Sequence, residues 1–151
     1  MDQVWSERLR AAGYRLTKPR DAVVQVMVGS DKAMDANEVY KLARGIDGAI
    51  GLVSVYRALD ALQELGLITR VHKGDGRDLY LAAGQGHEHV LICERCQRAQ
   101  YFGGGELDDL FAELAEKSGY EITGHWLQVF GICPVCQERE DKQHEVLQAK
   151  R

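Results

Sequence analysis

The four cysteines of this 151-residue chain fall in two Cys-x-x-Cys pairs, Cys93 with Cys96 and Cys133 with Cys136. No other spacing in the sequence restricts the fold as strongly. Each pair presents two thiolates from one turn, and two such turns complete a tetrahedral sulfur shell of the kind zinc takes in closed sites. Four protein ligands leave no open coordination position, so the expected role is structural, with zinc reinforcing a small core. Two unrelated pairs of buried cysteines, a rubredoxin-like iron site, or a redox turn at Cys133-Pro134-Val135-Cys136 would satisfy the same letters. The redox turn fits least well, because it should open a helix after the first strand of a βαβ unit rather than stand near the C-terminus.

Thiols kept for metal suit a reducing cytoplasm. Residues 1–10 are charged and helical in pattern, with no signal-peptide core, and no apolar run approaches the roughly 18 residues of a membrane span. The expectation is a cytoplasmic protein without membrane attachment. The net charge of −4 argues against nucleic acid only until the chain is split. Up to Ala82 there are twelve Lys/Arg against eleven Asp/Glu, and from Ala83 seven against twelve. The acidity belongs to the second half, which leaves the first half able to present a basic face.

The two halves also differ in period. Val4 to Ala12 is a short helical pattern closed by Gly13. Thr17-Lys18-Pro19 reads as an N-cap followed by proline in the first turn, with Ala22, Val23, Val26 and Met27 as the apolar stripe. Asp35 and Glu38 form a capping-box signature ahead of Val39, Leu42 and Ala43. Leu52, Val55, Tyr56, Leu59, Leu62 and Leu65 recur at steps of three and four, and Gly66 stands where a C′ glycine belongs. The period then changes to two strands, Leu67 to His72 and Asp78 to Leu81, joined by a glycine-rich turn. Three or four helices followed by a hairpin is the order of a winged helix-turn-helix.

After a small-residue hinge, strands are expected at His87 to Cys93 and Arg98 to Phe102, a helix through Leu107, Leu110, Phe111 and Leu114, and a strand stretch over Tyr120 to Ile132. A charged helix is expected from Gln137 to Gln148. The expected fold class is α+β: an N-terminal winged-helix DNA-binding domain at 1–82, a hinge at 83–87, and a C-terminal α/β domain at 88–151 carrying the four-cysteine zinc site and serving dimerisation and metal binding.

His87 and His89, two apart on a strand, point to one face. With His125 and a carboxylate from Glu106, Asp108 or Asp109 they could make an N3O site for zinc, iron(II) or manganese. First-turn carboxylates that merely favour a helix N-terminus, beside histidines decorating a surface strand, are the alternative. His72 and His144 lack clustered partners. Enzyme signatures fail on the letters: four residues beyond His87 stands Leu91, not the second histidine of a zincin. His87-Glu88-His89 is not the His-x-Glu of a zinc deaminase, and no Gly-x-Ser-x-Gly occurs. The chain is not expected to be an enzyme.

In this order the pieces resemble the ferric uptake regulator family over nearly the whole chain. The most specific parts are Val53-Ser54-Val55-Tyr56-Arg57-Ala58-Leu59 with Leu62, the Gly66-Leu67-Ile68 exit, His87-x-His89-x3-Cys93-x2-Cys96, and Leu127-Gln128-Val129-Phe130-Gly131-Ile132-Cys133. The resemblance implies a homodimer that binds double-stranded DNA at an AT-rich palindromic operator. It makes Tyr56 and Arg57 the base-reading candidates, since a tyrosine ring packs on thymine methyls and an arginine fork takes guanine O6 and N7. It assigns Arg15 to the minor groove and Thr17 and Arg20 to phosphates. Tyr56 also lies on the apolar stripe, and a core role stays open at this point.

The resemblance further implies that His87, His89, Asp108 and His125 form a regulatory metal site, with Asp108 where glutamate is common. The family's second site, near the hinge, is missing its ligands. The iron-sensor positions fall near Ala33 or Met34 and at Leu81, Val90 and Tyr101, none of which binds metal. The zinc-sensor positions fall at Ile68, Ala82, Glu88 and Val90, where only Glu88 could contribute. The implied function is a metal-dependent repressor of metal-uptake genes, responsive to zinc or iron(II), with metal at the histidine site ordering the first strand and the hinge. A DNA-binding regulator whose zinc is purely structural, and a zinc-ribbon protein-interaction module, are the alternatives.

Overall fold

Capping residues set the helices of the N-terminal half. In the computed structural model, which describes residues 2–84, 88–125 and 127–139, the chain divides into two units, Met1–Ala83 and Gly84–Arg151. The first unit opens with α1 (Asp2–Ala11), which buries Trp5 and Leu9. Helix α2 (Lys18–Val28) starts at Thr17, whose hydroxyl accepts the Arg20 N–H at 3.4 Å. Helix α3 (Ala36–Ile46) carries the complete capping box: Glu38 N–H donates to Asp35 at 2.8 Å, and Asp35 N–H donates to the Glu38 carboxylate at 2.9 Å. Such caps typically contribute about 1 kcal/mol each, which fixes where short helices begin.

Helix α4 (Leu52–Glu64) ends at Gly66, whose φ of 63° is one that glycine adopts without strain. Two bonds close the turn there, Gly66 N–H to Gln63 O and Leu67 N–H to Leu62 O, both 2.9 Å. Strands β1 (Ile68–His72) and β2 (Asp78–Ala82) form an antiparallel hairpin in which His72 faces Asp78. Met34, ahead of α3, exchanges both backbone hydrogen bonds with Tyr80, anchoring the hairpin to the helices. The core of this unit gathers Leu9, Val23, Met27, Val39, Val55, Leu59 and Leu62, all fully enclosed. Truncating any of the larger ones to alanine would cost about 2–5 kcal/mol. Leu42, expected on the buried stripe of α3, is instead 54% exposed, because that helix turns Ala36, Val39 and Ala43 inward.

Among the described residues the second unit has a three-stranded sheet, one 14-residue helix and a short helical stretch at 134–139. Strand β3 (Glu88–Cys93) is central, antiparallel to β4 (Ala99–Gly103) and parallel to β5 (Gln128–Gly131). Helix α5 (Gly105–Ser118) connects them and ends at Gly119. The long strand expected over Tyr120 to Ile132 is reduced to Gln128–Gly131. Pairing limits it: β5 has only the stretch of β3 from Val90 to Cys93 as its partner, and residues 119–125 run without a strand neighbour. Most of the expected C-terminal helix lies outside the described residues, as does His87; residues 134–139 are helical. Among the described residues no helix is long and apolar enough to cross a membrane.

Candidate metal centres and nucleic-acid interface

The parallel pairing of β3 with β5 brings the two cysteine turns together. Cys93 is level with Gly131, so both strands end side by side and each runs directly into its Cys-x-x-Cys turn. The first turn is closed by Gln97, whose N–H bonds to Cys93 O at 2.9 Å with a φ of 61°; Glu94 N–H ties it across to Gly131 O. The second is closed by Cys136 N–H on Cys133 O at 2.9 Å. All four sulfurs lie within 4.8 Å of one another, and Cys96 and Cys133 Sγ are 3.7 Å apart. A tetrahedron with zinc–sulfur bonds of about 2.3 Å has edges of roughly 3.8 Å, so Cys96 and Cys133 stand at zinc spacing and all four thiols are near enough to share one ion.

Electrostatics at the cluster are uneven. Burial raises the Cys93 thiol, but N–H donors from Cys133, Cys96 and Arg95 together outweigh it and bring it down to about 6. Cys136 is pushed up to about 12, first by the hydrogen bond with Cys133, then by burial and its other thiol neighbours. Four thiols this close cannot all ionise unaided, and a divalent cation is the group that removes the conflict. The donor set and spacing fit zinc.

The histidines make a second, separate cluster. His89, on the same face of β3 as Cys93 by the strand's alternation, is buried at 6% exposure. His125, in the segment after α5, brings its Nε2 to 3.3 Å from His89 Nε2. With metal–nitrogen bonds of about 2.0–2.1 Å, a tetrahedral edge is roughly 3.3–3.4 Å, so the separation of the two Nε2 atoms would suit two ligands of one ion. Phe102 flanks His89 with ring centroids 5.5 Å apart, and Phe111 stacks on His125 at 4.2 Å, restricting both rings. Asp108 is exposed and borders an open hollow of about 500 Å3 beside His125 and Phe111. It does not converge with the two histidines: among the described residues the thiols alone bring three or more potential ligands together. His87 lies outside the described residues. Sequence reasoning missed Phe102 as a wall of this cluster and took Phe111 only as one of the apolar residues that mark the helix.

In the hinge-site positions, Glu88 and Tyr101 apart, the chain carries hydrocarbon. Ala33, Met34, Ile68 and Leu81 are buried in the first unit; Val90 is buried in β3, opposite Tyr101 of β4.

Helix α4 turns Val55, Ala58, Leu59, Ala61 and Leu62 inward and leaves its outer face free. Tyr56 is 43% exposed and Arg57 is exposed beside it, so Tyr56 is not a core residue. Tyr56 shares a hollow of about 250 Å3 with Gly76, Arg77 and Asp78, which sets the hairpin tip beside the helix's outer face. Arg77, absent from the sequence-derived candidates, is held there by Asp75 at 2.7 Å. Arg15 is exposed in the loop before α2. Arg20 is engaged within the chain: its guanidinium lies over the Tyr14 ring at 5.1 Å, and Nη1 donates to Arg15 O. Tyr14 in turn donates to Glu64 of α4, tying the Arg15 loop to that helix.

The family model for the ferric uptake regulator family matches residues 11–130. A ferric uptake regulation protein from Legionella pneumophila is 33% identical over 134 residues, covering 87% of this chain and 98% of its own. The Helicobacter pylori ferric uptake regulator, whose structure shows three functional metal-binding sites, superposes with a TM-score of 0.73 at 26% identity, over 91% of this chain and 94% of its own. A zinc uptake regulator in complex with zinc and DNA gives a TM-score of 0.69 at 26% identity, over 90% and 92%.

Proposed function

Because the chain belongs to the ferric uptake regulator family, it is a metal-responsive DNA-binding transcriptional regulator rather than an enzyme, and we propose that it represses metal-uptake genes from the cytoplasm through a single exchangeable metal site. The two clusters divide the work. Cys93, Cys96, Cys133 and Cys136 hold a structural zinc that locks the ends of β3 and β5. His89 and His125, completed by His87 and Asp108, take the ion whose concentration is sensed. Zinc leads iron(II) and manganese as that ion, because an imidazole-rich donor set suits it. When bound, the ion supplies only positive charge and fixed ligand directions; His89 then holds the start of β3 to the segment that carries His125. With hydrocarbon at the hinge-site positions other than Glu88 and Tyr101, no second complete exchangeable site is expected there.

On DNA, the homodimer sets two α4 helices against an AT-rich palindrome, with Tyr56 and Arg57 on base edges, Arg15 in the minor groove, and Thr17 and Arg20 supporting the phosphate contacts. The exposed Leu110 and Leu114 of α5, with Val129 and Phe130 of β5, are apolar surface that the partner subunit would cover. Metal can shift DNA affinity only through its preference for the DNA-competent state, typically about 1–3 kcal/mol in such systems.

The observation that carries this reading is the 3.3 Å approach of His89 to His125, apart from the cysteines. Equilibrium dialysis against zinc tests it. Wild type should hold two ions per chain, one resisting mild chelation; the His89→Ala/His125→Ala variant should hold only the resistant one. Two ions in that variant would move the exchangeable site elsewhere.

A further inference from the structure

We propose that Gly104 is a positioning residue for His89: the absent side chain leaves the recess in which the imidazole lies with its Nε2 edge toward His125. The inference rests on reading His89 and His125 as ligands. It comes from three consecutive glycines, 103, 104 and 105, that have very different surroundings. A β-carbon at Gly103 or Gly105 would meet nothing within 4 Å. One at Gly104 would overlap the His89 ring, 2.5 Å from Cδ2 and closer still to Nε2, with Leu107 Cδ1 at 3.3 Å.

Backbone conformation does not explain the middle glycine. Its φ of −112° and ψ of 27° are open to any residue, and there an alanine would ordinarily stabilise by restricting the unfolded chain. Gly104 is also the N-cap of α5 and makes no side-chain cap bond. Serine, threonine, aspartate or asparagine would satisfy a free helix N–H at that position, yet each carries the same obstructing β-carbon.

The ring has little freedom to yield. His89 is buried, packed beside Phe102 and His125. A β-carbon at 104 therefore either turns the imidazole away from His125 or pushes the first turn of α5, which carries Asp108, away from the His89 ring. Either movement opens the 3.3 Å edge between the two Nε2 atoms. Gly104 thus sets how closely the start of α5 approaches the His89 ring.

The test uses full-length protein with its cysteine-bound zinc in place and cobalt(II) as the probe, read by its visible absorption. Gly104→Ala should bind cobalt about 10- to 100-fold more weakly, the range for lost support of a ligand. Gly103→Ala and Gly105→Ala should match wild type. Wild-type cobalt affinity in Gly104→Ala overturns the proposal. A second measurement needs no metal at the histidines: melting of the four forms made from Gly104→Ala and His89→Ala. Gly104→Ala should lower the midpoint by roughly 5 °C with His89 present and not with alanine at 89, because the conflict is with that ring. An equal loss in both backgrounds also overturns it. If His89→Ala alone binds cobalt as wild type does, the ligand reading fails, while the melting cycle still decides whether Gly104 positions His89.

Discussion

Across 36 residues of sequence, His125 Nε2 comes within 3.3 Å of His89 Nε2, and Phe111 holds the His125 ring in a stack at 4.2 Å. The stack fixes a side chain that stands on a segment without strand partners. Phe111→Leu keeps the helix apolar but removes the flat surface. It should weaken metal binding at the histidines about tenfold while the cysteine-bound ion is retained. Unchanged affinity by competition titration would show that the stack does not orient His125.

Zinc binding to the cysteine cluster should release fewer than four protons at pH 7, because Cys93, near 6, is already largely thiolate. Release should rise toward four as the pH falls below about 6 and Cys93 becomes protonated in the free protein. Calorimetry in two buffers of different ionisation enthalpy measures the number. Four protons at pH 7 would mean that the N–H donors do not hold Cys93 ionised.

In the hairpin, Asp78 bonds to Arg70 and to His72 Nδ1, the latter at 2.5 Å. The Arg70 bond, opposed in part by burial and aided by His72, holds the carboxyl below its usual 3.8. A depressed folded value means that the contribution is complete above about pH 4 and is lost as the pH falls through the lowered value. Asp78→Asn should therefore unfold more easily than wild type at pH 6, and the difference should shrink as the pH falls through the lowered Asp78 value. A difference that persists undiminished into acid would assign the effect to packing.

Arg20 bonds to Arg15 O and covers Tyr14, so its effect on DNA should run through the Arg15 loop. Arg15→Ala and Arg20→Ala should each weaken operator binding, and the double variant should be little worse than the weaker single one. Additive losses at fixed salt would make Arg20 an independent phosphate contact.

Local chemistry is what the sequence makes legible. Thr17, the Asp35–Glu38 box and Gly66 each act on their own turn of helix, and each stands where its letters suggest. The cysteine pairs are equally plain, because two-residue spacing is a property of the turn itself. What the letters did not disclose depends on partners far along the chain. The length of β5 is set by the part of β3 available to it. Tyr56 shares the periodic stripe with Val55 and Leu59, and only the packing of α2 and α3 against α4 leaves it outside. Gly104 looks like one of three equivalent glycines until the His89 ring is placed beside it. At the histidine cluster the spacing of His87 and His89 announced a face, while the meeting with His125 required the fold.

Control of DNA binding is expected to lie with the histidine cluster and not with the cysteine zinc. Fluorescence anisotropy with a labelled AT-rich palindrome, at fixed salt and across buffered free-zinc concentrations, tests it most directly. Operator affinity of the wild type should tighten about 5- to 150-fold as zinc rises, with the cysteine-bound zinc constant throughout, and the His89→Ala/His125→Ala variant should show no response. Tight binding indifferent to zinc, iron(II) and manganese, or an undiminished response in the variant, would contradict it.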